Sequence, residues 1–172
     1  MGAVAPAKDS TIVDIGGGAS LLVDRLLDKG YRDVVVADIS EAAMDVARKR
    51  LGERGHRVTW RAADARYLRL SQQVDVWHDR AVFHFLTDET DRQAYLNSVR
   101  EGLRVGGYVV IATFGPGGPE RCSGLEVERY DADKLSACFG SEFELVRSLE
   151  KQHVTPAGAT QEFTYAVFRR HR

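Results

Sequence analysis

Short apolar runs rich in valine and isoleucine alternate with segments of helical periodicity along most of the chain, and this alternation constrains the fold more than any other feature. A strand, a helix and a further strand in succession are typical of a parallel sheet, because parallel strands need a crossover connection. The predicted strands are residues 11–15, 33–39, 57–64, 74–80 and 107–115, and the predicted helices are residues 21–30, 41–54 and 89–104, the last ended by "RVGG" at 104–107. The pattern therefore predicts an α/β protein in which helices cover both faces of a mostly parallel sheet.

The last third of the chain departs from this alternation. A short helix is expected at residues 131–140, and strands at 143–154 and 161–171 follow in direct succession. Two strands joined by a short connection, here "TPAGAT", are expected to pair antiparallel. The glycine- and proline-rich segment 115–124 is longer than a simple connection between elements, and such segments are often functional.

Length and composition indicate one domain over residues 1–172, with 44% apolar residues to form its core. The 24 basic and 25 acidic side chains give a formal charge of −1, which disfavours nucleic acid and anionic membranes as partners. Cys122 and Cys138 match no metal-binding or disulfide spacing, and the sequence contains neither a secretory signal nor an apolar run of about 20 residues. We therefore expect a cytoplasmic protein without a metal, as a monomer or a homodimer.

A glycine turn, "DIGGGAS" at residues 14–20, directly follows the first predicted strand. Glycines permit positive φ angles, and the absence of Cβ atoms lets a ligand approach the main chain closely. The N–H groups at the start of the next helix are available to the same ligand. Many glycine clusters are only tight turns, so the residues around this one must decide whether a nucleotide binds.

Two acidic residues accompany the glycine turn at the same edge of the predicted sheet. Asp38 ends the second strand, where its carboxylate could accept hydrogen bonds from a ribose diol, and Asp64 ends the third strand. An alternative for Asp38 is to cap the next helix. A dinucleotide fingerprint would need a third glycine where this chain has Leu21, so the sequence disfavours a dinucleotide.

The glycine turn, the two acidic residues and the segment "LRVGGYVVIATF" together resemble the class I S-adenosylmethionine-dependent methyltransferases, and the likeness covers nearly the whole chain. The resemblance implies a Rossmann-like, mostly parallel sheet in the order 3-2-1-4-5-7-6, with an antiparallel C-terminal strand. It also implies that S-adenosylmethionine, and its product S-adenosylhomocysteine, bind at the turn, with the ribose at Asp38 and the adenine near Asp64. The residues assigned to the cofactor are Asp14, Gly16, Gly17, Gly18, Ser20, Asp38, Ile39, Asp64, Ala65 and Asp79, of which Asp79 could instead cap the helix that follows it.

A narrower likeness concerns the segment "VWHDRAVFHFLTDETDRQAYLNSV", which resembles the corresponding part of thiopurine S-methyltransferases. It favours Arg80 as a contact to an anionic acceptor. The other catalytic candidates are His84, as a general base, and His78. Strand alternation predicts that His78 and Arg80 lie on one face of the sheet and Asp79 on the other. Each histidine could instead be a packed or surface residue, and Arg80 could form a surface ion pair.

The activity expected from the resemblance is transfer of a methyl group to a small-molecule acceptor, a thiol or another soft nucleophile. Methylation of a protein lysine or another amine is an alternative, because the same cofactor site serves many acceptors. Only about ten residues precede the first strand, where members of the family usually carry helices that cover the site. A cofactor-binding partner subunit without activity of its own is therefore a third hypothesis.

Overall fold

The computed structural model describes residues 6–155 and 158–172, and most of these form a seven-stranded sheet between two layers of helices. The strands are β1 (Thr11–Ile15), β2 (Asp33–Asp38), β3 (Val58–Ala62), β4 (Val74–Arg80), β5 (Leu103–Phe114), β6 (Arg121–Cys122), β7 (Leu125–Glu126), β8 (Phe143–Val154) and β9 (Thr160–Arg170). The helices are α1 (Leu22–Asp28), α2 (Glu41–Leu51), α3 (Glu89–Gly102) and α4 (Ala132–Phe139), with short 3₁₀ helices at Gly52–Arg57, Ala65–Tyr67 and Phe83–Phe85. Within the described residues, the helices are all too short or too polar to cross a lipid bilayer.

The strand order of the large sheet is β3-β2-β1-β4-β5-β9-β8. The first five strands pair in parallel, and β9 pairs antiparallel with both β5 and β8. The predicted order 3-2-1-4-5-7-6 is therefore confirmed, once the separate short hairpin of β6 and β7 is left out of the numbering. Because the chain turns to opposite sides of β1 after the first and third strands, a crevice opens at the carboxyl ends of β1 and β4.

Apolar side chains cover both faces of the sheet, which explains the runs of valine and isoleucine in its central strands. On one face, α1 and α2 pack through Val23, Leu26 and Met44 against the strands. On the other face, α3 and α4 pack against a cluster that contains Trp77 and Phe168. The predicted three-layer α/β/α arrangement is confirmed.

The junction between α3 and β5 differs from the prediction. The helix ends at Gly102 and the strand begins at once with Leu103, so "RVGG" at 104–107 lies inside β5 and the prediction of a helix stop there was wrong. Leu103 is fully buried and pairs with Val74, and a register irregularity follows before pairing resumes. Gly106, with a φ angle of +81°, accommodates this irregularity, which the sequence pattern alone does not reveal.

Two connections also differ in detail from the prediction. The long segment 115–124 contributes strand β6 to a small antiparallel hairpin with β7, and the sequence pattern did not predict this hairpin. The antiparallel pairing of β8 with β9 is confirmed, with Val154 opposite Thr160 at its end. Part of the predicted connection "TPAGAT", residues 156–157, lies outside the described residues.

Candidate functional site

The glycine turn lies at the carboxyl end of β1, and it is tied to the sheet by a hydrogen bond from the Gly16 N–H to the Ala37 carbonyl oxygen at 2.8 Å. Gly16 and Gly18 have φ angles of +66° and +32°. A Cβ atom on Gly16 would lie 2.2 Å from Val82 Cγ2, and a Cβ atom on Gly18 would lie 2.8 Å from Asp38 Oδ2. The turn therefore excludes side chains, and its bare main chain separates two cavities that both reach Gly16.

The smaller cavity has a volume of about 360 Å³ and lies between the ends of β1, β2 and β3. Its lining includes the four residues that the sequence assigned to adenosine, namely Asp38, Ile39, Asp64 and Ala65. Ile39 is 76% exposed, so it offers an apolar surface that a flat ligand could cover. The structure therefore brings together, from the ends of two strands, a carboxylate and an apolar wall.

Asp38 uses one of its two carboxylate oxygens inside the protein. Its Oδ1 accepts a hydrogen bond from the Ser40 N–H at 2.7 Å, and Ser40 in turn caps α2 by accepting from the Ala43 N–H at 3.2 Å. Oδ2 is the oxygen that lies nearest to Gly18, which itself lines neither cavity. Helix capping and ligand binding are thus compatible at Asp38, because each role uses a different oxygen.

Asp64 is engaged by a neighbouring arginine. Both of its carboxylate oxygens accept hydrogen bonds from Arg66, the shortest at 2.5 Å, and Arg66 also donates to Asp91 at 2.7 Å. The hydrogen bonds from Arg66, more than any other contact, hold the pKa of Asp64 below its usual range. A ligand that approached this carboxylate would therefore compete with Arg66 for its oxygens. The apolar side chain of the neighbouring Ala65 has no such ion pair and can contact a ligand directly.

The larger cavity has a volume of about 790 Å³ and lies on the other side of the glycine turn. The predicted residues in its lining are Asp14, Gly16, Gly17, Ser20, His78 and Arg80. The lining also contains residues that the sequence did not predict: Arg25 of α1, Lys29 directly after α1, and His153, Gln161 and Phe163 of β8 and β9. Arg25 and Lys29 could have been found from the sequence. They are four residues apart in the helical segment that follows the glycine turn, so their side chains are expected on one face. The β8 and β9 residues had no such signal in the sequence, because their position depends on the pairing of β9 with β5.

Asp14 and His78 stand opposite each other on β1 and β4, and their side chains form a pair. Asp14 Oδ1 lies 2.7 Å from His78 Nδ1, and Asp14 is 3% exposed. Since Nδ1 faces the carboxylate, Nε2 is the ring nitrogen left for the larger cavity. A Cβ atom on Gly17 would lie 2.7 Å from Asp14 Oδ2, so glycine makes room for this carboxylate. The arrangement is that of a base oriented by a buried acid.

Arg80, at the end of β4, lines both cavities. Within residues 6–155 and 158–172, no carboxylate lies within 4.0 Å of its guanidinium, so the alternative of a surface ion pair has no partner there. The next residue, Ala81, has a φ angle of +67°, a conformation that costs energy for a residue with a side chain. The strained turn redirects the chain at the point where the two cavities meet.

Asp79 is a correction to the cofactor assignment, because its carboxylate is fully buried and lines neither cavity. It accepts hydrogen bonds from the Val82 and Phe83 N–H groups at 2.9 and 3.1 Å, and from the Tyr95 hydroxyl at 2.6 Å. The Tyr95 oxygen accepts from Trp77 Nε1 at 2.9 Å. Burial raises the pKa of Asp79 to about 6. Asp79 therefore holds the turn between β4 and the 3₁₀ helix Phe83–Phe85, a structural role close to the alternative of helix capping, and the strand alternation that separated it from Arg80 is confirmed.

His84 is a second correction, because it is fully buried and cannot act as a base in either cavity. Its ring packs against those of Phe85 and Phe114, and its Nδ1 accepts a hydrogen bond from the Phe114 N–H at 3.3 Å. Burial lowers its pKa to about 4, so the ring is neutral near pH 7. The residue lies in the 3₁₀ turn Phe83–Phe85, where the alternation of a strand no longer determines which side chains point inward.

Residues 12–107 match the family described as "Methyltransferase domain". The chain is 34% identical over 110 residues to the ubiquinone/menaquinone biosynthesis C-methyltransferase UbiE of Coxiella burnetii. That match covers 60% of this chain and 42% of the relative, so the chain spans less than half the length of the curated relatives that it matches.

Two solved structures have the same fold. The N-methyltransferase NodS from Bradyrhizobium japonicum, solved with S-adenosylhomocysteine, gives a TM-score of 0.76 at 19% identity, with 95% of this chain and 79% of that chain covered. The 1,6-didemethyltoxoflavin-N1-methyltransferase from Burkholderia thailandensis, also solved with S-adenosylhomocysteine, gives 0.74 at 20% identity, with 95% and 72% covered. These two likenesses establish the fold.

Proposed function

Because the chain belongs to the methyltransferase domain family, we propose that it binds S-adenosylmethionine and transfers its methyl group to a small-molecule acceptor. The observation that carries the proposal is the glycine turn, whose bare main chain separates a cavity lined by Asp38 and Asp64 from a larger one lined by His78. The first cavity suits adenosine, and the second suits the methionine part of the cofactor together with the acceptor. At about 790 Å³, the second has the volume of a small-molecule site.

The residues around the turn fit the cofactor. The main chain of Gly16 is exposed to both cavities, and Asp38 has an oxygen that α2 does not use. In this proposal Asp38 accepts hydrogen bonds from the ribose hydroxyls, and Ile39 and Ala65 contact the adenine. Asp64 lies beside them, and Asp14, Gly17 and Ser20 line the path on which the methionine part would lie.

When bound, the cofactor supplies a methyl group on a sulfonium, which is already activated for displacement. The chain's own residues must then align an acceptor and remove its proton. His78 is suited to accept that proton on Nε2, because Asp14 holds Nδ1 and would stabilise the charged ring. Arg80, exposed in the same cavity, is suited to orient an anionic acceptor or to favour a thiolate.

We propose a thiol or another soft nucleophile as the acceptor. The local resemblance of "VWHDRAVFHFLTDETDRQAYLNSV" to thiopurine S-methyltransferases and the guanidinium of Arg80 support this choice. A protein lysine or another amine is the second candidate, since the relatives named above include N-methyltransferases. Methyl transfer to polypeptides but not to small thiols would favour the amine, and tight cofactor binding without turnover on thiols, phenols, amines and halides would favour an inactive partner subunit.

Binding of the cofactor product tests the proposal directly. We expect calorimetry to detect S-adenosylhomocysteine binding to the wild-type protein, and Asp38→Ala to weaken it about tenfold to a hundredfold through loss of buried hydrogen bonds. Asp133→Ala, which removes an exposed carboxylate from α4, is the matched control and should leave the affinity unchanged. Absence of binding to the folded wild-type protein would refute the proposed function.

A further inference from the structure

The charges that line the larger cavity are unbalanced. Arg25, Lys29 and Arg80 are cationic, and the lining contains one carboxylate, Asp14. That carboxylate is nearly buried and is paired with His78 at 2.7 Å. The lining therefore has three cations and no carboxylate free to neutralise them, so an anion that enters the cavity would be attracted.

Helix α1 separates its charges onto two sides. Its acidic residues, Asp24 and Asp28, face α2 and the turn after it, where Arg50 and Arg54 pair with them at 2.7 Å each. Arg25 and Lys29 instead face the cavity, on the same helical face as the buried Leu26. In the part of the chain that the structure describes, no carboxylate lies within 4.0 Å of either cation. The acidic side of α1 is thus neutralised by the protein, and the basic side is left for a ligand.

Arg25 and Lys29 follow the glycine turn at intervals of about one helical turn. The helix begins at Leu22, directly after the glycine turn, and Arg25 follows about one turn later and Lys29 about two turns later. At 1.5 Å per residue, the main chain at Arg25 and at Lys29 lies roughly 5 and 10 Å beyond Leu22 along the helix axis. His78 lines the same cavity as both cations, so an acceptor with its nucleophile at His78 could reach them with a group on its far side.

We infer that the acceptor is a small carboxylate, whose nucleophile lies at His78 and whose carboxylate group is bound by Arg25 and Lys29. The inference rests on the proposed function and specifies the chemical class of its acceptor. Guanidinium and ammonium groups together bind a carboxylate by charge-assisted hydrogen bonds. Arg25 and Lys29 are exposed side chains of the lining, so these bonds should favour a carboxylate over a neutral analogue of the same shape by about tenfold.

The test compares 4-mercaptobenzoate with 4-mercaptobenzamide, which carry the thiol and the second group at opposite ends of the ring and differ in charge and hardly in shape. Binding of each compound to the protein saturated with S-adenosylhomocysteine is measured by calorimetry, so that the readout does not depend on turnover. We expect the carboxylate to bind the wild-type protein at least about tenfold more tightly, and Arg25→Gln/Lys29→Gln to remove this preference. The control Lys49→Gln/Arg57→Gln makes the same change in charge at exposed positions outside the cavity and should keep the preference.

The outcomes separate this inference from the proposed function. Equal affinity for the two compounds, including failure of both to bind at millimolar concentration, would overturn the inference. The proposed function would still stand in that case if S-adenosylhomocysteine bound to the wild-type protein. A fall in S-adenosylhomocysteine affinity in Arg25→Gln/Lys29→Gln would also overturn it, because the cations would then serve the carboxylate of the methionine part. Absence of S-adenosylhomocysteine binding in the wild-type protein would refute the proposed function itself.

Discussion

Substitution of His78 by glutamine is expected to lower kcat for methyl transfer to a thiol acceptor by about 10² to 10⁴, the usual contribution of a general base. The physical reason is the pairing of Asp14 Oδ1 with His78 Nδ1 at 2.7 Å, which orients the ring and leaves Nε2 for the acceptor proton. Glutamine can still donate a hydrogen bond to Asp14 but cannot take up a proton near pH 7. The affinity for S-adenosylhomocysteine should change little, since the substitution removes a base and leaves the glycine turn intact.

Two further variants test whether His78 acts as a base rather than as a packing residue. Asp14→Asn keeps the size of the side chain but removes the negative charge beside the ring, so a smaller loss of kcat and an altered pH profile are expected. His56→Gln removes an exposed histidine outside both cavities and should leave kcat unchanged. If His78→Gln retained the wild-type kcat while remaining folded, the acceptor would not need a protein base at this position.

The parts of the site that the sequence predicted follow from strand ends. In a parallel sheet the carboxyl ends of neighbouring strands meet at one edge, so the glycine turn, Asp38 and Asp64 could be placed together once the strands were identified. The alternation of β4 likewise predicted that His78 and Arg80 share a face and that Asp79 does not. Both arguments need only local sequence and the order of the strands.

The remainder of the site depends on information that is not local. The contact of Asp14 with His78 depends on the register of β1 against β4, and the position of His153 depends on the pairing of β8 with β9. His84 was misassigned because the strand ends at Arg80 and a 3₁₀ turn then carries its ring into the core. Sequence periodicity cannot reveal such a turn, because three residues are too few to show a period.

Asp79 provides the second large effect, on stability rather than on activity. Its carboxylate is fully buried, and burial, opposed by the Tyr95, Val82 and Phe83 hydrogen bonds, raises its pKa from 3.8 to about 6. A raised pKa means that the folded state binds the proton more tightly than the unfolded state does. The stabilisation from protonated Asp79 is therefore fully present below the unfolded pKa and is lost as the pH rises through about 6.

Asp79→Asn is expected to abolish this pH dependence, because the amide keeps the shape of the side chain and does not ionise. As the pH rises, the free energy of unfolding of the wild-type protein should fall relative to that of the variant. The total decrease over the whole titration is about 3 kcal/mol, and roughly half of it occurs between pH 5 and 7.5. Urea unfolding of both proteins at several pH values measures the difference directly, and Asp133→Asn, at an exposed carboxylate, should run parallel to the wild type. Parallel curves for Asp79→Asn would contradict the prediction, since they would mean that the Asp79 carboxyl titrates alike in the folded and unfolded states.

Asp79→Ala should in addition lower stability by about 1 to 3 kcal/mol across the range, because the Tyr95 hydroxyl and the Val82 and Phe83 N–H groups would be left buried without their acceptor.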